Sequence, residues 1–258
     1  MNNETLLNFL NEQYEYYESN FNIEVDPIII PYQFRRLQDI EISGFFAAIL
    51  AWGNRKAILK SCNQLMQLMD NAPYDFIKHQ KETDLKPFTN FVYRTFNGTD
   101  LLYLLAFLKQ HYQQNESLES AFLYPKEQKE TFEMKDALAF FHNTVFQLDY
   151  APDRTRKHIS TPLKKSACKR LNMYLRWMVR QNSKVDFGLW KNILPKDLIC
   201  PLDIHVSTTA RNLGLLERKQ DDWKAATELT ATLKTFDDND PVKYDLVLFS
   251  LGAEKIIY

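Results

Sequence analysis

Residues 39–52 read Asp-Ile-Glu-Ile-Ser-Gly-Phe-Phe-Ala-Ala-Ile-Leu-Ala-Trp. Wound at 3.6 residues per turn, this stretch is apolar on nearly every side, the pattern of a helix that is buried rather than laid on a surface. Gly53-Asn54 interrupts it, and an amphipathic stretch over 55–69 follows. Further helices are expected over 2–18, 100–114, 129–148, 167–181, 203–213, 221–235 and 241–251. The last is opened by Asp240-Pro241, where Asp suits the cap and Pro the first turn. Val25 to Pro31 carries two prolines and is expected to be extended, and 149–165, polar and proline-bearing, to be a loop. Only 6 of the 258 residues are glycine, too few for the turns of a short-stranded β architecture. The chain is expected to be all-α.

At 258 residues and 45% apolar content the chain can bury a sizeable core, in one domain or two lobes. Cys62, Cys168 and Cys200 are odd in number and lack paired spacing, which speaks against a disulfide framework, a zinc site or an iron–sulfur cluster. No metal and no cofactor is expected. The first residues have no cationic flank before a long apolar core, and the longest apolar run, Phe45 to Trp52, is far below the ~20 residues that span a bilayer. A soluble protein of the cytoplasm is expected, with no membrane partner. A net charge of −1 does not announce a nucleic-acid partner.

The local charge distribution differs. From Arg154 to Lys184 there are ten lysines and arginines and no acidic residue. On a helix over 167–181, Lys169, Arg176 and Arg180 fall on one stripe, opposite Ala167, Leu171, Tyr174, Leu175 and Met178. One face is expected to pack and the other to present cations to phosphate, with Lys164, Lys165, Arg170, Arg176 and Arg180 as backbone contacts. A solvated charged face is the alternative, although such faces usually mix both signs. Ser166 is the expected N-cap, which puts Lys169 in the first turn. There the positive end of the helix dipole is expected to make the amine more nucleophilic.

The segment Pro201-Leu-Asp203-Ile-His205-Val206, with Gly214 past the helix that follows, places Asp203 at a helix start. Capping alone accounts for Asp203 and for Gly214, and His205 is more often a packed histidine than a ligand.

Pro201–Val206 and the following Ala210-Arg-Asn-Leu-Gly-Leu215 resemble the Val-Asp-x-His-Val segment and helix of the helix-hairpin-helix DNA glycosylases. A lysine opening the preceding helix, then a long loop and this aspartate, is most similar to the archaeal 8-oxoguanine DNA glycosylase branch. Ile42–Asn54 is similar to the buried helix that ends at the base-binding cleft there. The chain nearly end to end, including Cys168–Arg180 and Asp240-Pro-Val-Lys-Tyr-Asp245, resembles a bacterial family known only as a domain of unknown function.

The glycosylase resemblance implies a two-lobed helical fold. It implies that residues 1–258 form one such unit, with a cleft between lobes lined by about 39–56, 154–184 and 197–214. It gives Lys169 the place of the Schiff-base lysine and Asp203 that of the catalytic aspartate, with Trp52, Asn54, Trp177, Trp190 and His205 as substrate-binding candidates. The partner it implies is duplex DNA carrying a damaged base, an oxidised base among them, and the protein a monomer. The family's Gly-x-Gly hairpin is absent: Thr161-Pro-Leu-Lys-Lys-Ser166 stands there without glycine. Three functions follow as alternatives: a DNA base-excision glycosylase with lyase activity, a non-catalytic nucleic-acid binder keeping that fold, and an interaction scaffold.

Overall fold

The computed structural model describes residues 3–125 and 131–254. The chain is mostly helical and divides into two compact units, one formed by 1–22 with 162–258 and the other by 23–161.

In the unit formed by 23–161, α3 (Leu37–Leu50) is the centre, with every residue from Ile40 to Leu50 buried. Its one buried acid, Glu41, accepts from Tyr112 Oη at 2.8 Å, from the backbone N of Leu118 at 3.1 Å and from the Ser117 hydroxyl. Those bonds offset the cost of taking a carboxylate out of water. Around α3 pack α2 (Ile29–Tyr32), α4 (Arg55–Leu68) and α5 (Pro73–His79). A 3₁₀ stretch, Glu82–Asn90, and the hairpin of β1 (Val92–Tyr93) and β2 (Phe96–Asn97) lead to α6 (Gly98–Gln114) and α7 (Met134–Val145). The first residues of the helix expected over 129–148 lie outside the described residues, as does residue 2 of the first helix.

The segment expected to be extended over 25–31 is helical instead: a 3₁₀ turn at Ile23–Val25 precedes α2. Pro31 falls in the first turn of α2, where its missing N–H has no intrahelical partner to lose, and burial of Ile28 and Ile30 holds the turn down.

The other unit holds α1 (Asn3–Ser19), α8 (Lys169–Val179), α9 (Ile204–Asn212), α10 (Trp223–Lys234) and α11 (Asp245–Ala253). Helix α11 packs against α9 and α1. It does so closely, for a Cβ at Gly252 would lie 2.7 Å from His205 O and 2.8 Å from Thr209 Oγ1. The expected cap at Asp240 is not there: a 3₁₀ turn, Pro241–Tyr244, comes first and α11 starts at Asp245. Among the described residues no helix is long and apolar enough to cross a membrane. The three cysteines are free and buried.

Candidate active site

Helix α8 begins one turn after a tight loop. Pro162–Lys164 is a 3₁₀ turn, and Lys165 and Cys168 then take left-handed backbone, φ 62° and 51°, a region that costs a non-glycine residue roughly 1–2 kcal/mol. Three contacts hold them there. The backbone N of Lys165 donates to Pro162 O at 2.8 Å, that of Trp223 to Lys165 O at 3.1 Å, and Asn172 Nδ2 to Ala167 O at 3.0 Å. Ser166 is therefore not the N-cap: Cys168 occupies that place, without a side-chain cap, while Ser166 Oγ accepts from Cys168 N at 3.1 Å. Lys169 remains in the first turn, as its first residue.

Asp203 is the N-cap of α9, in extended backbone. Its two oxygens divide their work. Oδ1 accepts from the backbone N of His205 at 3.0 Å and of Val206 at 3.1 Å. Oδ2 faces Lys169 Nζ at 3.7 Å, longer than a hydrogen bond. The amine also approaches Met173 Sδ at 3.4 Å. The Lys169 and Asp203 side chains keep 27% and 23% of their surface exposed, so the pair is open to solvent on one side. Ile204, next in sequence, is 70% exposed.

Behind the pair lies a buried charge network. Arg176 donates to Asp186 Oδ1 at 3.2 Å and to Asp245 Oδ2 at 2.5 Å. Arg180 donates to Asp186 Oδ2 at 2.6 Å, to both oxygens of Asp240 at 3.0 and 3.1 Å, and to Tyr14 Oη at 3.0 Å. Burial pushes the Asp245 carboxyl up to about 6, against the pull of the Arg176 guanidinium, with the negative charge of Asp203 adding to the rise and Lys169 opposing it. Burial, helped by the charge of Asp245, lifts the Cys200 thiol far above its ordinary range, so it stays a donor, 3.8 Å from Asp245 Oδ1.

This corrects the expected cationic stripe. Arg176 and Arg180 are 8% and 2% exposed and point into the carboxylates of Asp186, Asp240 and Asp245. Those acids lie beyond the acid-free stretch, so its composition did not disclose them. Lys164 and Lys165 are exposed and Arg170 is half-buried. Two expected substrate contacts are core residues instead: Trp177 and Trp190 are each 1% exposed, and Trp190 packs edge-on against Tyr174 with ring centroids 5.4 Å apart. His205 is exposed and tied to α11, its Nδ1 donating to Gly252 O at 3.2 Å. Trp52 and Asn54 belong to the other unit, where Asn54 caps α4 by accepting from Ala57 N at 3.2 Å.

Sequence reasoning thus brought Lys169 and Asp203 together. It missed Asp245, whose only signal was its place in the Asp240–Asp245 segment. Among the described residues no cluster of three or more His, Cys, Asp or Glu is placed to hold a metal ion. Residues 26–254 match the profile of a family described as Protein of unknown function (DUF2400). No curated protein and no solved structure matches the chain.

Proposed function

The chain belongs to the family described as Protein of unknown function (DUF2400), a description that assigns no activity, and we propose that it is a DNA base-excision glycosylase and lyase of the helix-hairpin-helix type. The observation that carries this reading is the division of labour at Asp203: one oxygen caps α9 and the other faces a solvent-open lysine at 3.7 Å. A cap alone needs no lysine opposite its free oxygen.

In the proposed reaction Asp203 Oδ2 takes a proton from Lys169, and the neutral amine attacks C1′ of the damaged nucleoside. The N–C1′ bond to Lys169 forms as the glycosidic bond breaks, and the proton that Asp203 took from Lys169 passes to the departing base, which leaves neutral. With that proton gone Asp203 is a carboxylate again and stabilises the positive charge left on the adduct of the sugar with Lys169. Opening of the sugar ring gives an imine with Lys169, and loss of a C2′ proton then expels the 3′ phosphate. Lys164 and Lys165, exposed on the turn before α8, are the proposed phosphate contacts, with Arg170 beside them.

A panel of duplex oligonucleotides, each with one damaged base, tests the reading. Release of one base by the wild type and its loss in Asp203→Asn is the expected result; no release from any duplex removes the reading. One observation favours a second reading, a non-catalytic nucleic-acid binder: Lys169 and Asp203 have each other as ion-pair partners. Salt-sensitive duplex binding without excision would select it.

A further inference from the structure

A cluster of unit 23–161 has no part in the chemistry above. At the hairpin tip Arg94 is exposed and its backbone is left-handed, φ 55°. Its guanidinium carbon lies 4.4 Å from the centroid of the Trp52 ring, a cation–π stack that favours Arg over Lys because the guanidinium is planar. Trp52 is itself held. Tyr93 packs edge-on against it with centroids 5.9 Å apart and donates from Oη to Trp52 O at 2.5 Å. Gly53, at φ 100°, makes room, for a Cβ there would lie 2.1 Å from Arg94 Nη1.

A second guanidinium reaches the same tip. Arg154 Nη2 donates to Thr95 O at 2.9 Å and lies 3.4 Å from Asp100. Asp100 is fully buried and already accepts from Thr155 Oγ1 at 2.8 Å and from Asn97 N at 3.0 Å. Among the described residues no carboxylate lies within ion-pair distance of Arg94. The tip therefore carries an exposed guanidinium, Arg94, laid on an aromatic ring, and a second, Arg154, which reaches the backbone of Thr95 while sharing its charge with Asp100.

We propose that the Trp52–Arg94 stack and Arg154 form a docking site for an unpaired nucleotide of single-stranded DNA. The base stacks on the outer face of the Arg94 guanidinium, as unpaired bases stack on guanidinium planes and aromatic rings, and Arg154 holds the adjoining phosphate. The inference rests on the nucleic-acid reading above but not on its catalysis.

Binding of fluorescent oligo(dT) to the full chain, followed against salt, tests it. Arg94→Ala and Arg154→Ala are each expected to weaken binding about tenfold, the size of one lost base stack or a phosphate contact. Arg94→Lys, which keeps the charge and loses the plane, should recover the salt slope but not the affinity. Wild-type affinity in Arg94→Ala would overturn the site, as would polyphosphate that competes as well as oligo(dT), since that would make the tip a plain anion patch. Circular dichroism on each variant separates loss of contact from loss of fold. Excision is read on the same preparations. Arg94-dependent binding with no excision keeps this inference and removes the catalytic reading; excision with wild-type affinity in Arg94→Ala does the reverse.

Discussion

The two ends of α8 (Lys169–Val179) carry the same kind of side chain into opposite surroundings. At the first residue, Lys169 meets one carboxylate at 3.7 Å with about a quarter of each side chain exposed. At the far end, Arg176 and Arg180 meet Asp186, Asp240 and Asp245 at 2.5 to 3.2 Å and are almost fully buried. In water a pair of unit charges at such distances is worth about 1 kcal/mol, whereas a desolvated pair that loses one partner leaves an uncompensated charge behind. One end of the helix is therefore held by its charges, and the other carries a pair that solvent still reaches.

The largest effect expected from that contrast is at Asp186, which joins both arginines. Asp186→Ala should destabilise the fold by about 3–5 kcal/mol in urea unfolding, because both buried arginines lose a partner at once and each keeps another carboxylate, Asp245 for Arg176 and Asp240 for Arg180. A loss below ~1 kcal/mol would mean that water reaches the network and that the two ends of α8 do not differ. Next comes Gly252, where α11 meets the backbone of His205. Gly252→Ala should cost about 1–3 kcal/mol as the two helices are forced apart, and should disturb Asp203 through α9; unchanged unfolding with unchanged activity would show that α9 does not depend on this crossing.

Most helices were legible in the sequence, the buried one over Leu37–Leu50 above all, since an all-round apolar stretch has few other solutions. So was the family, and so was the meeting of Lys169 with a helix-capping Asp203. The fate of Arg176 and Arg180 was not. A helical stripe tells which side chains share a face, but what neutralises that face comes from Asp186, Asp240 and Asp245, on other segments. Trp177 and Trp190 were misread for the related reason that an aromatic near a proposed site is more often part of the core under it. The hairpin over Val92–Asn97 gave no signal, being two residues per strand and turned by Arg94 rather than by glycine.

A smaller effect separates Asp245 from ordinary carboxylates. Its carboxyl titrates at about 6 in the folded protein, above the ordinary 3.8, so the folded state binds the proton more tightly than the unfolded one. The stability this contributes is complete below the ordinary value and is lost as pH rises through about 6. Unfolding free energy measured from pH 4 to 7 should fall over that window in the wild type relative to Asp245→Asn, which cannot titrate. Parallel curves would place Asp245 outside the buried network.

Smallest is the expected stability change at Asp203. Asparagine caps a helix about as well as aspartate, so Asp203→Asn should change stability by only a few tenths of a kcal/mol, while Asp203→Ala should cost about 1 kcal/mol. Excision, by contrast, should be lost in both. If Asp203→Asn keeps excision, the free oxygen that faces Lys169 has no chemical role.

In the proposed chemistry the amine of Lys169, opposite Asp203 Oδ2, forms the covalent bond to the sugar. Borohydride reduces an imine to a stable amine, so it fixes any protein that forms a Schiff base on its substrate while that bond exists. Wild-type protein mixed with the duplex it acts on should be trapped as a covalent complex, and Lys169→Gln, equally folded, should not. A Lys169→Gln protein that still traps, or a wild type that releases the base and never traps, would contradict a Schiff-base role for Lys169.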